Sequence, residues 1–584
     1  MSTHARPLAE ALAARSDEEL VDLLVRRGVH PDAAWNDFFD AAEALLDPSS
    51  IARALPRLPR AEAEALLAPG DADPDAVRAL TGLALLGPDG APYPPVAAAL
   101  AAREPAAMAP ATATDTDARR SEQAEARAAE RAFTAIAVLA DVLLLAEEAP
   151  FALLASGAVG MAEKRRAAER GLPDDPALLD DLFAVAVDAG LLRAQDRTLR
   201  ITEAGDAWLP LPQTARWART AEGFRAALPD GLRTPSGGWI PADEWPGAYP
   251  WDASWPERAD DLIRRAGLLG LLSDGAPTPW AAALADGGEA APDALAPHVP
   301  SEVDRIFLQN DLTAISPGPL RPALDLRLRR IAVRESASQA SSYRFTADSL
   351  AAALSAGETE EGVAAFLDTL SLTGVPQPLR YLLAQSAQRH GLVRVSSDPT
   401  TGRTLVRSAD PTLLGAIAVD QALRPLGLIR EDDTLATRVG RETVFWALTD
   451  EHYPAALVDP RGRAETAVRV PPLPALDAPD PAADYAALIA RLRTARGTDA
   501  DAAWLDRELE HAAKVRAVLA VEVAMPDGSS RELVLEVTGL GGGRLRGRDV
   551  AGDIERTLPI RSILSTRLVE EPGDSRSARA TPAG

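Results

Sequence analysis

A chain of 584 residues with a formal charge of -25 at pH 7 is long enough for about three to five domains of roughly 100–200 residues each, and its average surface repels nucleic acid. Binding to phosphates would therefore need a local basic patch. Cysteine is absent, which excludes disulfides, thiolate metal sites and cysteine catalysis.

Lysine occurs only at Lys164 and Lys514, so nearly all positive charge is arginine, in a composition rich in alanine and proline. Arginine content alone then carries no functional message. The N-terminus is interrupted by Arg6, Glu10 and Arg15 and does not read as a signal peptide. The most apolar stretch, Ala135 to Ala146, is too short to span a bilayer and contains Asp141, which suits a buried helix. A cytoplasmic protein without membrane contact is expected.

Residues 1–102 read as a helical, winged-helix-like block. Ser16-Asp17-Glu18-Glu19 fits a capping box that opens a helix running through Arg27. Trp35, Phe38, Phe39 and Leu45 follow at helical spacing. Leu83 to Leu86 with Gly87-Pro88-Asp89-Gly90 predicts a strand entering a tight turn. A low-complexity stretch from Arg103 to Asp117 then separates this block from the next.

Residues 118–212 give the clearest winged-helix order: helices at Ile136 to Glu147, Met161 to Arg170 and Pro176 to Ala189, then a hairpin through Leu199 to Thr202. The helix that would enter a major groove carries Asp180, Asp181 and Asp188, and that charge opposes phosphates and favours protein contact. The preceding helix offers Lys164, Arg165 and Arg166 as candidate phosphate contacts. Residues 213–300 predict a further related module. Its Trp239, Trp245, Tyr249, Trp251 and Trp255 either stack on bases or plug an apolar surface; the acidic neighbours Asp243, Glu244 and Asp252 favour plugging.

From Val303 the pattern changes. Gln309-Asn310-Asp311-Leu312-Thr313, Glu335-Ser336, Tyr343-Arg344-Phe345-Thr346 and Pro376-Gln377-Pro378-Leu379 with Arg389-His390-Gly391 follow in order. A strand at Leu392 to Val395 closes this run, and strands and helices from Thr404 to Val458 then predict a β-α-β-β-α-β ferredoxin-like unit. This run, set in residues 301–460, resembles the helicase XPB N-terminal-like, or helicase-associated, family of actinobacterial type. One departure is Ser338 to Ser342, where the family more often has glycine. The resemblance implies that Gln309, Asp311, Glu335, Tyr343, Arg344, Pro376, Gln377 and Pro378 serve structure or partner docking. It also implies an XPB-type DNA helicase as partner, as for the winged-helix subunit of the transcription and repair factor TFIIH, which docks on XPB.

The chain lacks a Gly-rich loop ending in Gly-Lys-Ser/Thr, because Lys164 stands in Glu163-Lys164-Arg165 and Lys514 in Ala513-Lys514-Val515. No ATPase activity, cofactor or metal is expected, and the six histidines show no ligand spacing.

Residues 461–505 read as a linker plus a helix, on the strength of Pro471, Pro472, Pro474, Pro479 and Pro481. Residues 506–571 predict about five strands in a small β-barrel. Its Pro526-Asp527-Gly528 turn, the run Gly542-Gly543-Arg544-Leu545-Arg546-Gly547-Arg548-Asp549 and Arg561-Ser562-Ile563-Leu564 resemble the WYL-type domain, although the Trp-Tyr-Leu signature is missing. Arg544, Arg546 and Arg548 alternate and should share one strand face, joined by Arg556 and Arg561. That face is either a nucleic-acid contact, single-stranded more than duplex, or a solvated surface whose charges pair with Glu536 and Asp549. Residues 572–584 read as a disordered tail. The expected whole is an α+β multidomain, mainly α protein: tandem winged helices, an XPB N-terminal-like region with a ferredoxin-like unit, and a C-terminal barrel. Two functions fit, a non-catalytic helicase scaffold and a DNA-binding regulator with a ligand-sensing barrel.

Overall fold

The computed structural model describes residues 5–102, 118–337, 341–466, 468–476, 480–494, 505, 509–510, 512–514, 516–525 and 529–569. The low-complexity stretch 103–117, the turn 526–528, the tail from 570 and most of the Ser338 to Ser342 departure lie outside them. The chain is mixed α/β with several small sheets, arranged as two compact units: residues 1–110 with 246–256 and 477–584, and residues 111–245 with 257–476.

In the first unit, helices from Ala5–Ala14 to Pro94–Ala101 enclose one apolar core. The capping box forms: Glu19 N–H donates to Ser16 Oγ at 3.2 Å and Ser16 N–H donates to Glu19 Oε2 at 2.8 Å. The helix stops at Arg26, one residue early, because Gly28 takes a left-handed φ of 62° and Val29 N–H turns back to Leu24 O; Arg27 at the end donates to Leu83 O at 2.8 Å and Ser50 Oγ at 2.9 Å. The expected strand at Leu83 to Leu86 is reduced to a single bridge, Leu86 to Pro92, across the Gly87–Gly90 turn. Three prolines follow the turn, at Pro92, Pro94 and Pro95, and cannot donate to a ladder.

The helix Pro481–Thr494 completes this core with Tyr485, Leu488, Ile489 and Leu492. Tyr485 Oη donates to Val29 O at 2.5 Å, Arg491 Nε to Trp35 O at 2.7 Å and Arg493 Nη1 to Ala13 O at 2.8 Å. Each arginine and tyrosine here satisfies a backbone carbonyl at a loop or helix end, where intrahelical partners run out.

The same unit ends in an antiparallel five-stranded sheet. Its spatial order is Ile554–Pro559, Arg544–Asp549, Ser530–Gly541, Val518–Ala524, Ile563–Leu568, so the last strand returns beside the first. Leu519, Val521, Leu535, Val537 and Leu545 form its core face.

The second unit opens with the helix Ala118–Glu148, much longer than the expected Ile136 to Glu147. Helices Met161–Glu169 and Pro176–Asp188 follow, then the hairpin Leu192–Gln195 and Thr198–Ile201. Asp196 and Arg197 at its tip both have positive φ, 49° and 60°, as a two-residue turn between twisted strands demands. A short third strand, Phe151–Ala152, pairs with Thr198 and Leu199. The proline-rich segment at 471–474 is extended but docked: Leu473 bridges Thr202, and Arg200 Nη2 and Arg193 Nη1 donate to Pro471 O at 2.8 Å and Pro474 O at 3.0 Å. Proline offers no N–H, yet its carbonyl remains a strong acceptor for arginine.

Trp239 and Trp245 are buried in this unit, and Trp255 in the other is buried too. Base stacking is therefore closed to these three, and the aromatics fill core space. The backbone at Gly238 passes so close to the chain at Ala285 that an added Cβ would stand 1.7 Å from Ala285 O. Gly238→Ala is expected to cost at least about 2 kcal/mol, as overpacking against rigid backbone does, and to lower the melting temperature measured by calorimetry.

Residues 306–344 form an antiparallel sheet in the order Phe307–Leu308, Thr313–Ser316, Ser341–Arg344, Val333–Ala337. Helices Pro322–Ile331, Ala347–Ser355, Glu360–Leu370 and Gln377–Arg389 pack around the core of Ile306, Leu328, Tyr343, Phe345 and Leu367. Gly357 ends the helix Ala347–Ser355, with φ of 99° and its N–H on Leu354 O, as the freedom of glycine in the left-handed region allows.

The next sheet corrects the four-stranded expectation. Its order is Ile429–Glu431, Thr434–Thr437, Thr404–Ser408, Val393–Ser397, Ala455–Leu457. The strand expected to close the preceding run is instead inserted beside the last strand, and pairs with it in parallel. The reason is apolar: Val393 and Val395 are fully buried and complete the core under Leu414, Ile417, Phe445 and Leu448.

Candidate nucleic-acid interface and docking surfaces

The strand Arg544–Asp549 alternates strictly between exposed and buried positions. Leu545, Gly547 and Asp549 face inward, so Arg544, Arg546 and Arg548 share the outer face as the two-residue period requires. Their neighbours differ. Arg544 lies between Gly541 and Pro559, and Arg546 between Gly539 and Thr557, so both stand over small or uncharged partners. Neither has a carboxylate within ion-pair distance among the described residues. Arg548 lies between Glu536 and Glu555 and its Nε is 2.5 Å from Asp553 Oδ1, so its charge is already spent.

Arg556 does not join this face. It lies opposite Gly547, on the inner side, and its Nε donates to Asp549 Oδ2 at 2.6 Å. That hydrogen bond holds the Asp549 carboxyl below its ordinary range. Odd–even position cannot separate Arg556 from the other three, since the register of its own strand against Arg544–Asp549, and not sequence proximity, decides its face. Arg561 is exposed on the short turn Ile560–Ser562 that joins the two edge strands. The patch that remains open is Arg544 and Arg546, with Arg561 nearby in sequence to the returning strand.

The helix Met161–Glu169 provides less than its charge suggests. Lys164 is buried and its Nζ lies 2.6 Å from Asp180 Oδ2. Arg166 pairs with Glu163 at 2.7 Å and sits over the Phe151 ring. Arg165 alone is exposed with no ion-pair partner among the described residues. The acids of the next helix are also engaged within the chain: Asp181 Oδ2 accepts from Arg264 Nε at 2.6 Å and Asp188 Oδ2 from Arg265 Nη1 at 2.9 Å. A helix whose side chains are tied to its own neighbours is a poor groove reader.

The residues carrying the family resemblance divide by role. Gln309 and Asp311 are exposed in the turn between the first two strands, where Asp311 Oδ1 accepts from Thr313 N–H at 3.1 Å. Glu335 pairs with Arg344 across adjacent strands. Pro376, Gln377 and Pro378 start the helix Gln377–Arg389, with Gln377 and Pro378 exposed. Tyr343 is buried, and its Oη donates to Asp325 Oδ1 at 2.5 Å. Burial and the Asp325 carboxylate push the phenol well above its ordinary range, so it stays a donor.

That hydrogen bond is one end of a network missing from the sequence reading. Arg329 Nε is 3.0 Å from Asp325 Oδ2, and Arg329 Nη2 donates to Asp141 Oδ1 at 2.7 Å. Arg334 Nη2 donates to Asp141 Oδ2 at 2.5 Å. Asp141 thus ties the helix Ala118–Glu148 to the sheet and helix of residues 322–344. Burial pushes its carboxyl up, while Arg329 pulls it back towards the charged form. The signal was present in the sequence: a lone acid in an apolar helix must find a buried partner.

His390 caps the helix Gln377–Arg389, but burial pushes its pKa down against the helix-end field that would favour the cation. Its neutral form is the native one. Because the folded pKa lies below the unfolded value near 6.5, acidification protonates the unfolded chain first. Stability should fall as pH drops from about 6.5 towards the folded pKa, and His390→Gln should flatten that part of a denaturation–pH series.

With these positions established, comparison with known proteins adds one finding. Residues 306–432 match the family model described as Helicase conserved C-terminal domain. No curated protein matches the chain significantly. The match lies within the 301–460 segment marked by its motifs and shows that this part of the chain is helicase-related. Among the described residues no helix is long and apolar enough to cross a membrane.

Proposed function

We propose that the chain is a non-catalytic scaffold or regulator of an XPB-type DNA helicase in DNA repair, and that it touches single-stranded nucleic acid through Arg544 and Arg546. The observation that carries this is the helicase-related match at residues 306–432, in a sequence that has no Gly-Lys-Ser/Thr loop. The four strands between Phe307 and Arg344 pair with one another only in antiparallel fashion, whereas phosphate-loop enzymes place nucleotide at the ends of parallel strands. The chain's two lysines serve elsewhere, Lys164 in an ion pair and Lys514 at an exposed helical position.

On this reading the 118–212 and 213–300 modules are winged helices used for protein contact, and the 301–460 segment is the XPB N-terminal-like docking region. The C-terminal sheet, whose last strand returns beside its first, is a WYL-like small barrel. The rival, a sequence-reading transcriptional regulator, is disfavoured by the intramolecular pairing of Asp180, Asp181 and Asp188.

The purified chain should hydrolyse no ATP with or without DNA, and should raise the DNA-dependent ATPase rate of an XPB-type helicase added to it. DNA-stimulated hydrolysis by the chain alone, or a helicase rate indifferent to it, contradicts the assignment.

A further inference from the structure

We infer that Arg394 and Arg407 form a second contact for nucleic-acid phosphates, on the face of the mixed sheet at residues 393–457 that lies opposite its apolar core. It deepens the nucleic-acid part of the function proposed above but stands on different residues.

Arg394 and Arg407 are directly opposite each other across the antiparallel pair Val393–Ser397 and Thr404–Ser408. Both are exposed, while Val393, Val395 and Val406 on the other face are fully buried. Side chains at such a position come within about 4.5–5.5 Å at Cβ, and like charges there destabilise the sheet. The register gives their neighbours on the same face. Thr434 is next to Arg407, and Ala456 next to Arg394. Beyond Thr434 stands Glu431, whose carboxylate is held by Arg403 Nη1 at 2.7 Å. No ion-pair partner reaches Arg394 or Arg407 among the described residues.

Two arginines with no ion-pair partner among the described residues thus stand opposite each other on adjacent strands, both exposed beside the buried Ala456 and the half-buried Thr434. A chain with net charge -25 has carboxylates in excess, yet among the described residues none closes this pair. An anion placed between them converts repulsion into two charge-assisted hydrogen bonds. The phosphodiester backbone is the anion that fits the helicase-related setting of the same strands, both of which lie inside the matched residues 306–432.

The pair makes opposite demands on stability and on binding, which gives the test its power. The full-length protein, Arg394→Ala/Arg407→Ala, Arg394→Glu/Arg407→Glu and Arg394→Lys/Arg407→Lys are titrated onto a fluorescein-labelled mixed-sequence single strand and its duplex, by anisotropy across a salt series. The glutamate variant is expected to bind about tenfold more weakly and to lose about 1.4 from the slope of log K against log salt on the single strand, two contacts' worth. The lysine variant should keep most of the affinity. The alanine variant should melt no lower than the parent, since it removes a repulsion, while binding more weakly. Parental affinity and salt slope in the glutamate variant overturn the inference, as does a parent that binds neither strand. Arg544→Glu/Arg546→Glu, measured alongside, separates the two patches: loss in that variant alone removes this site and leaves the C-terminal one, and loss in the Arg394/Arg407 variant alone does the reverse.

Discussion

Arg544→Glu/Arg546→Glu is expected to weaken single-strand binding by the full chain at least about tenfold at moderate salt, because two attractive phosphate contacts become repulsive. The slope of log K against log salt should fall by about 1.4, at about 0.7 per phosphate on a single strand. Both side chains are outside the core face formed by Leu519, Val521, Leu535 and Leu545, so far-ultraviolet circular dichroism and melting should stay parental. Arg548→Glu is the internal control. Its guanidinium is already bound to Asp553 and flanked by Glu536 and Glu555, so its effect on binding should be several-fold smaller. Equal losses at Arg546 and Arg548 would show that general charge, and not the open pair, governs affinity. Helicase co-purification should survive the double substitution.

Asp141→Ala should be strongly destabilising, at about 3–5 kcal/mol, the range for breaking a buried ion pair from one side. Arg329 keeps Asp325 as a partner, but Arg334 loses the acceptor that Asp141 Oδ2 provides. Chemical denaturation should show the loss as a lower midpoint. Asp141→Asn should recover part of it, since the amide oxygen can still accept one bond. Asp141→Leu tests whether apolar filling substitutes for the network. If it matches the parent, the network specifies geometry more than it stabilises. Arg334→Ala should cost less than Asp141→Ala, because Asp141 then keeps Arg329.

Local features were legible from sequence wherever local chemistry decides them. The Ser16–Glu19 capping box, the Gly357 helix end and the five C-terminal strands follow from residues that act on their own backbone or alternate on a pleat. What depends on distant partners was not legible. Nothing near Val393 announces that its strand will sit between Thr404–Ser408 and Ala455–Leu457, since a short apolar run fits several places in a sheet. Lys164 to Arg166 read as a basic cluster, yet a helix turns successive residues to different sides, and Asp180 captures the first of them. Arg556 differs for the corresponding reason in a strand: proximity in sequence does not make a shared face. The open arginines at 544 and 546 were visible because alternation and flanking glycines suffice to predict them. The pair at 394 and 407 required the register.

The docking of Pro481–Thr494 onto the N-terminal helices bears on how the chain is made. Tyr485 and Val29 are 456 positions apart, and Arg493 reaches Ala13 across 480. At a synthesis rate of about 5–20 residues per second, the first helices wait on the order of a minute for the segment that covers them. During that interval the apolar surface under Tyr485, Leu488 and Ile489 has no lid, while the intervening unit can already close on itself. A ribosome-bound fragment ending near residue 460 should therefore be protease-sensitive at its front and resistant in its middle, a reversal of the order in which it emerged.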